Sequence, residues 1–111
     1  MADAKSELRE IKRDGAKPQK NSGRGRHDKG DAVLDNLFLV DYKEYAESFG
    51  VSIKGWAKIC TDAFRAGGYE PMFKLILGTK DKVRLVVISE TMFDDMKKAY
   101  LRDLERGGII D

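Results

Sequence analysis

The stretch "NLFLVDYKEY", residues 36–45, constrains the fold of this chain more than any other. It opens as an apolar run of the kind a strand buries inside a small sheet. It then continues Val40, Asp41, Tyr42, Lys43, Glu44, Tyr45, and in a strand residues two apart point the same way. Asp41 and Lys43 therefore project together, with Val40 and Tyr42 on the opposite face. Asp31 stands just before the preceding "AVLD". The pair Asp35-Asn36 predicts a hairpin at that point, or one long strand with a bulge there. The hairpin would bring Asp31 beside Asp41 where the strands diverge. Unpaired buried charge is costly. Either the strand surfaces here, or its charges serve a metal and a substrate.

The rest of the pattern frames that strand. Residues 3–13 are strong helix formers ending at Gly15, a C-cap, with Leu8 and Ile11 as a narrow apolar stripe. Asp3, Glu7 and Glu10 share a face of that helix. A second helix is predicted over 52–66, capped by Ser52 and closed by Gly67-Gly68. Its spacing makes Ile53, Trp56, Cys60, Ala63 and Phe64 the core stripe. "PMFKLILG" and "KVRLVVIS" read as strands joined by a turn at 78–81. A last helix over 91–106 takes Thr91 as cap with Asp94 three residues on, and buries Phe93, Met96, Tyr100 and Leu104. The order predicts a single α/β (α+β) domain over 1–111, a small sheet flanked by helices.

Composition excludes several classes. A chain of 111 residues supports one modest core. One cysteine, Cys60, and one histidine, His27, rule out an intrachain disulfide and leave no His/Cys zinc site. No apolar run approaches the roughly 20 residues that span a bilayer, so no membrane partner is expected. The opening "MADAKSELRE" lacks the apolar core of a signal peptide. A reducing, cytoplasmic setting is the expectation (the host's cytoplasm, if the source is viral).

The net charge of +2 hides an asymmetry. Residues 1–30 carry nine Lys/Arg against five Asp/Glu, whereas 31–111 carry twelve against fourteen. Within 16–30, "AKPQKNSGRGRHDKG", the five basic residues Lys17, Lys20, Arg24, Arg26 and Lys29 face only Asp28. Gly, Ser, Asn and Pro between them predict a flexible basic loop. Most charge runs are solvated linkers. Placed directly before Asp31, this one fits a phosphate-contacting loop better.

Asp31 and Asp41 supply hard oxygen ligands beside the Lys43 amine. Magnesium takes oxygen ligands, keeps several waters, and joins one or two carboxylates with substrate phosphate. Such an ion can activate a water and stabilise charge on a phosphodiester. Taken alone, "DYK" is too common to mean more than an edge-strand ion pair that guards against aggregation. Asp31, its spacing to Asp41, the apolar lead-in and the basic loop together give it weight.

On those residues the chain resembles the PD-(D/E)xK nuclease superfamily, and more closely the Holliday junction resolvases of archaea and bacteriophages. The likeness covers most of the chain: an acidic first helix, the loop "KNSGRGRHDKGD", the strand with Asp41-Tyr42-Lys43, then "VSIKGWAKICTDAFRAGGYEPMFKLIL" and "KVRLVVI". Gly30 stands where the motif's proline would be. The resemblance implies a restriction-endonuclease-like mixed β-sheet flanked by helices. Asp31 and Asp41, helped by the Tyr42 backbone carbonyl, would be the metal ligands, and Lys43 the catalytic lysine. The acid of the first helix would be Glu7 or Glu10, with Glu7 preferred. Ser22, with Arg24 and Arg26, matches the loop that handles the scissile strand, and Lys17, Lys20 and Lys29 add DNA contacts. Glu44 faces away from Lys43, toward a basic partner. His27 is at most a phosphate contact, and Trp56 belongs to the core rather than to a stacked base.

The implied activity is a magnesium-dependent endonuclease of DNA recombination, with manganese as a possible substitute. It would resolve four-way junctions by paired cuts as a two-fold homodimer. The alternatives are a nuclease of the same fold acting on other branched, nicked or duplex DNA, and a DNA-binding module of that fold without catalysis. A small protein whose basic loop binds an acidic partner is the third. It predicts no salt-sensitive DNA binding.

Overall fold

The structure, a computed structural model, describes residues 4–19 and 31–107. Eight elements follow in order: α1 (Ala4–Asp14), β1 (Lys17–Pro18), β2 (Asp31–Leu34), β3 (Phe38–Tyr45), α2 (Ile53–Gly67), β4 (Glu70–Leu77), β5 (Val83–Val87) and α3 (Glu90–Arg106). The strands form one mixed sheet in the order β1-β2-β3-β4-β5, antiparallel except for the parallel pair β3–β4. Five strands and three helices make an α+β fold.

The β2–β3 hairpin turns on two left-handed residues. Asp35 and Asn36 have φ of 53° and 54°, a region that short polar side chains tolerate. The Leu37 N–H donates to the Leu34 carbonyl at 3.0 Å and closes the turn. A hairpin forms, not one bulged strand. Parallel strands need a long crossover, which α2 supplies between β3 and β4. The Ser52 hydroxyl caps α2 by accepting the Gly55 N–H at 3.0 Å. Gly68, at φ 80°, ends it by donating to the Ala63 and Phe64 carbonyls.

The sheet lies between α1 and α2. Even-numbered residues of β3 face α1, where Ile11 and Ala16 pack on Val40, Tyr42, Met72 and Ile76. Odd-numbered residues face α2, where Ile59 and Ala63 pack on Val33, Leu39, Phe73 and Leu75. The interior strand β4 is buried on both faces, which fits its largely apolar "PMFKLIL".

Five expectations need correction. The contact line of α2 runs through Ile59 and Ala63, while Ile53 is 85% and Phe64 78% exposed. Trp56 and Cys60 are half-buried at its margin. The helix meets the sheet along a strip narrower than its apolar arc, so periodicity marked the arc and not the strip. In α3 the cap is Ser89, whose hydroxyl accepts the Met92 N–H at 3.0 Å, and not Thr91. Phe93, Met96, Tyr100 and Leu104 are exposed, because among the described residues here only Ile88, just before α3, and Met92, in its first turn, pack back on the core. Finally, the segment read as a loop from residue 16 begins as a strand: β1 pairs Lys17 with Val33 and Pro18 with Ala32. On α1, Ile11 is buried and Leu8 is about half exposed.

Candidate functional site

Register brings the two aspartates together. Asp31 is directly opposite Asp41 in the antiparallel β2–β3 ladder, so both side chains leave the same face. That face is the one beneath α2. Two residues further along β3, the Lys43 ammonium lies 3.5 Å from Asp41 Oδ2. It also lies over the Phe49 ring, 5.7 Å from its centroid. Phe49 is held between Tyr45 and Phe73, at ring separations of 5.4 and 5.5 Å, so aromatic packing fixes the wall behind the lysine. The other Asp41 oxygen, Oδ1, is buried and has no hydrogen-bond partner among the described residues.

Electrostatics mark the same two groups. Burial pushes the Asp31 carboxyl up to about 7, and the neighbouring Asp41 and Asp62 carboxylates push the same way. Burial raises Asp41 as well, against the pull of Lys43. Lys58 and Asp62, one turn apart on α2, form an ion pair at 2.8 Å. The Lys58 charge reaches both buried carboxyls and favours their ionised forms. Two acids with raised pKa values and an orphaned oxygen could take a cation, which the Lys43 and Lys58 charges would partly oppose.

The two glutamates of α1 have different partners. Glu7 Oε2 accepts the backbone N–H of Glu44 at 3.0 Å, at a point of β3 beyond its pairing with β2. Burial raises its pKa, while the Glu44 N–H and the Lys43 charge lower it. Glu7 is thus the α1 acid electrically coupled to Asp41 and Lys43. Glu10 turns to the ammonium and guanidinium groups of Lys74, at 3.1 Å, and Arg84, at 2.6 Å. Glu44 points away from Lys43 and pairs with Lys82.

Tyr42 faces α1, where its hydroxyl donates to Asp14 Oδ2 at 3.0 Å, so only its main chain is available to the Asp41 side of the strand. Lys17 is exposed at the start of β1. Lys20, Ser22, Arg24, Arg26, His27 and Lys29 lie outside the described residues.

Among the described residues, no group of three or more His, Cys, Asp or Glu converges as a ready metal cage. The fit to magnesium rests on the pair alone. Two opposed carboxylates with a spare buried oxygen suit an ion that keeps most of its ligands as water and substrate oxygens. Sequence reasoning missed Lys58, Asp62 and Phe49. The spacing of Lys58 and Asp62 is a common helical ion-pair pattern. Nothing in it pointed to the hairpin until α2 was laid across the sheet. No helix among the described residues is long and apolar enough to cross a membrane. No family model, no curated protein and no solved structure matches this chain.

Proposed function

We propose that the chain is a metal-dependent DNA endonuclease of the PD-(D/E)xK type, with a restriction-endonuclease-like core, and that its substrate is a four-way junction. The observation that carries this reading is the Asp31–Asp41 register with Lys43 on the same face. Asp31 and Asp41 would hold a magnesium ion, which supplies an activated water and charge stabilisation when bound. Lys43, braced by Phe49, orients the attacking water and stabilises charge growing on the phosphorane. Glu7 holds the edge of β3 through the Glu44 N–H and so fixes where Lys43 stands. The basic segment before Asp31 tracks the phosphates of the DNA. Junction resolution needs two symmetric cuts, so a chain with one such site acts as a two-fold dimer.

The test is incubation with a synthetic four-way junction and a matched linear duplex in magnesium, with the cuts mapped on both strands. Symmetric cuts in strands of like polarity, lost in Asp41→Asn while DNA binding persists, are the expected outcome. Equal cutting of the duplex would favour a general nuclease. Binding without any cutting would leave a DNA-binding module, and full activity of Asp41→Asn would remove the site.

A further inference from the structure

We infer that α3 is a self-association surface, on which a second copy of this chain packs its own α3 antiparallel. The inference deepens the two-fold dimer of the nuclease reading by naming its surface, and it is argued from the packing of α3. No residue of this 17-residue helix is buried. Helices owe most of their stability in proteins to a packed face, and among the described residues of α3 only Met92 packs on the core. Its apolar residues are nevertheless in line. Phe93 (52% exposed), Met96, Tyr100 (64% exposed), Leu101 and Leu104 recur at three- and four-residue steps along one side. Lys97 lies in the same line, with its ammonium 5.5 Å from the centroid of the Phe93 ring.

Size and symmetry name the occupant. Fully buried aromatic side chains cover about 150–250 Å² each and aliphatic ones somewhat less, so these five roughly half-exposed groups present about 500 Å² per copy. That is within the range of the largest apolar patches on monomers, about 300–600 Å², which are often functional. Two such faces together bury about 1,000 Å², the size at which a specific interface can be argued. The line is also closed under a two-fold axis. A dyad between Lys98 and Ala99 exchanges Phe93 with the partner's Leu104 and Met96 with the partner's Leu101. It sets Lys97 against the partner's Tyr100, a cation–π pairing that would replace the one Lys97 makes within its own helix. Every position of the stripe thus meets another position of the stripe. An isologous interface requires that property, and an unrelated partner does not.

The experiment is sedimentation equilibrium of the full chain, compared with Tyr100→Glu and Leu104→Asp. Both positions are exposed in the single chain, so circular dichroism should report an unchanged fold. The wild type is expected to be dimeric at low micromolar concentration. Each substitution should raise the dimer dissociation constant about thirtyfold or more, as loss of an interface anchor does. Phe64→Asp, which removes an exposed aromatic from α2, should leave it unchanged. For orientation, Phe93→Cys and Leu104→Cys copies, both carrying Cys60→Ser, should cross-link on mild oxidation when mixed and not when separate. A wild type that stays monomeric throughout, or a dimer indifferent to both α3 substitutions, overturns the proposal. Cross-linking of the separate copies but not the mixture overturns the antiparallel arrangement. The readouts are mass and cross-linking, so the result is independent of whether the chain cleaves DNA.

Discussion

On the α1 face of the sheet, Glu10 takes two hydrogen bonds from Arg84 and an ion pair from Lys74, whose ammonium also donates to both oxygens of Asp14 at 2.9 Å. Arg13 and the Tyr42 hydroxyl complete the cluster. On the α2 face, Asp31 and Asp41 confront each other with one ammonium 3.5 Å away and one oxygen unpartnered. Both faces bury carboxylates, with opposite results. Burial pushes Glu10 up, but the hydrogen bonds from Arg84 and Lys74 outweigh it and hold the group at about 2. Asp31 has only the weaker pull of the Lys58 and Lys43 charges against burial and the Asp41 carboxylate, and rises to about 7. The first cluster is complete without a ligand. The second is electrostatically incomplete, and groups of that kind gather at functional sites.

The largest effect should come from breaking the complete cluster. Lys74→Ala leaves Glu10 and Asp14 short of their central cation in a buried place, and should cost about 3–5 kcal/mol by urea denaturation at neutral pH. A loss near zero would mean that Arg84 and Arg13 suffice, and the contrast between the faces would weaken.

Asp31→Asn should act with the opposite sign. It removes a buried charge and its repulsion with Asp41, and should stabilise the protein by about 1–3 kcal/mol at pH 8 while abolishing the cleavage proposed above. The wild type carries the matching pH signature. Folded Asp31 keeps its proton up to about 7, whereas the unfolded chain releases it near 3.8. The folded state therefore binds more protons across that window, and this group's contribution to stability falls as pH rises through it. Glu10 runs the other way, its contribution being present above the ordinary carboxylate range and lost as pH falls toward about 2. A flatter profile between pH 4 and 7 in Asp31→Asn is the expected measurement.

Magnesium should sharpen the same comparison. Bound as proposed, it would compete with the proton for Asp31, so it should raise the melting temperature by a few degrees at pH 8 and less at pH 6. An equal rise at both values, or one that persists in Asp31→Asn, would place the ion elsewhere. The smallest effect belongs to Lys58→Ala. Its pair with Asp62 is solvent-exposed and worth no more than about 0.5 kcal/mol. Stability should barely move, whereas the proposed affinity for DNA should fall with a shallower salt dependence. A change in stability alone would make Lys58 a surface ion pair.

The sequence disclosed local decisions and concealed the distant ones. The turn at Asp35-Asn36 was legible because few residue pairs accept left-handed backbone twice in succession. Once it was placed, Asp31, Asp41 and Lys43 fell onto one face by alternation alone. The bounds of α2 were legible from Ser52 and Gly67-Gly68, yet its buried line through Ile59 was not, since that depends on how the helix lies across the sheet. The same limit hid the exposure of α3. Period 3.6 identifies an apolar face and says nothing of what covers it. Glu7 and Glu10 were inseparable by spacing because Lys74 and Arg84, which claim Glu10, lie far along the chain.

The hairpin register has a consequence for which changes of length the gene can tolerate. Three residues separate each aspartate from the turn: Ala32, Val33 and Leu34 on one side, Phe38, Leu39 and Val40 on the other. A codon gained or lost within either trio turns one carboxylate to the far face and uncouples the pair. A codon gained between Asp35 and Leu37 lengthens only the connection and leaves Asp31 opposite Asp41. The chain can therefore drift in length at the tip of this hairpin, while the six positions beneath it are held to a fixed count.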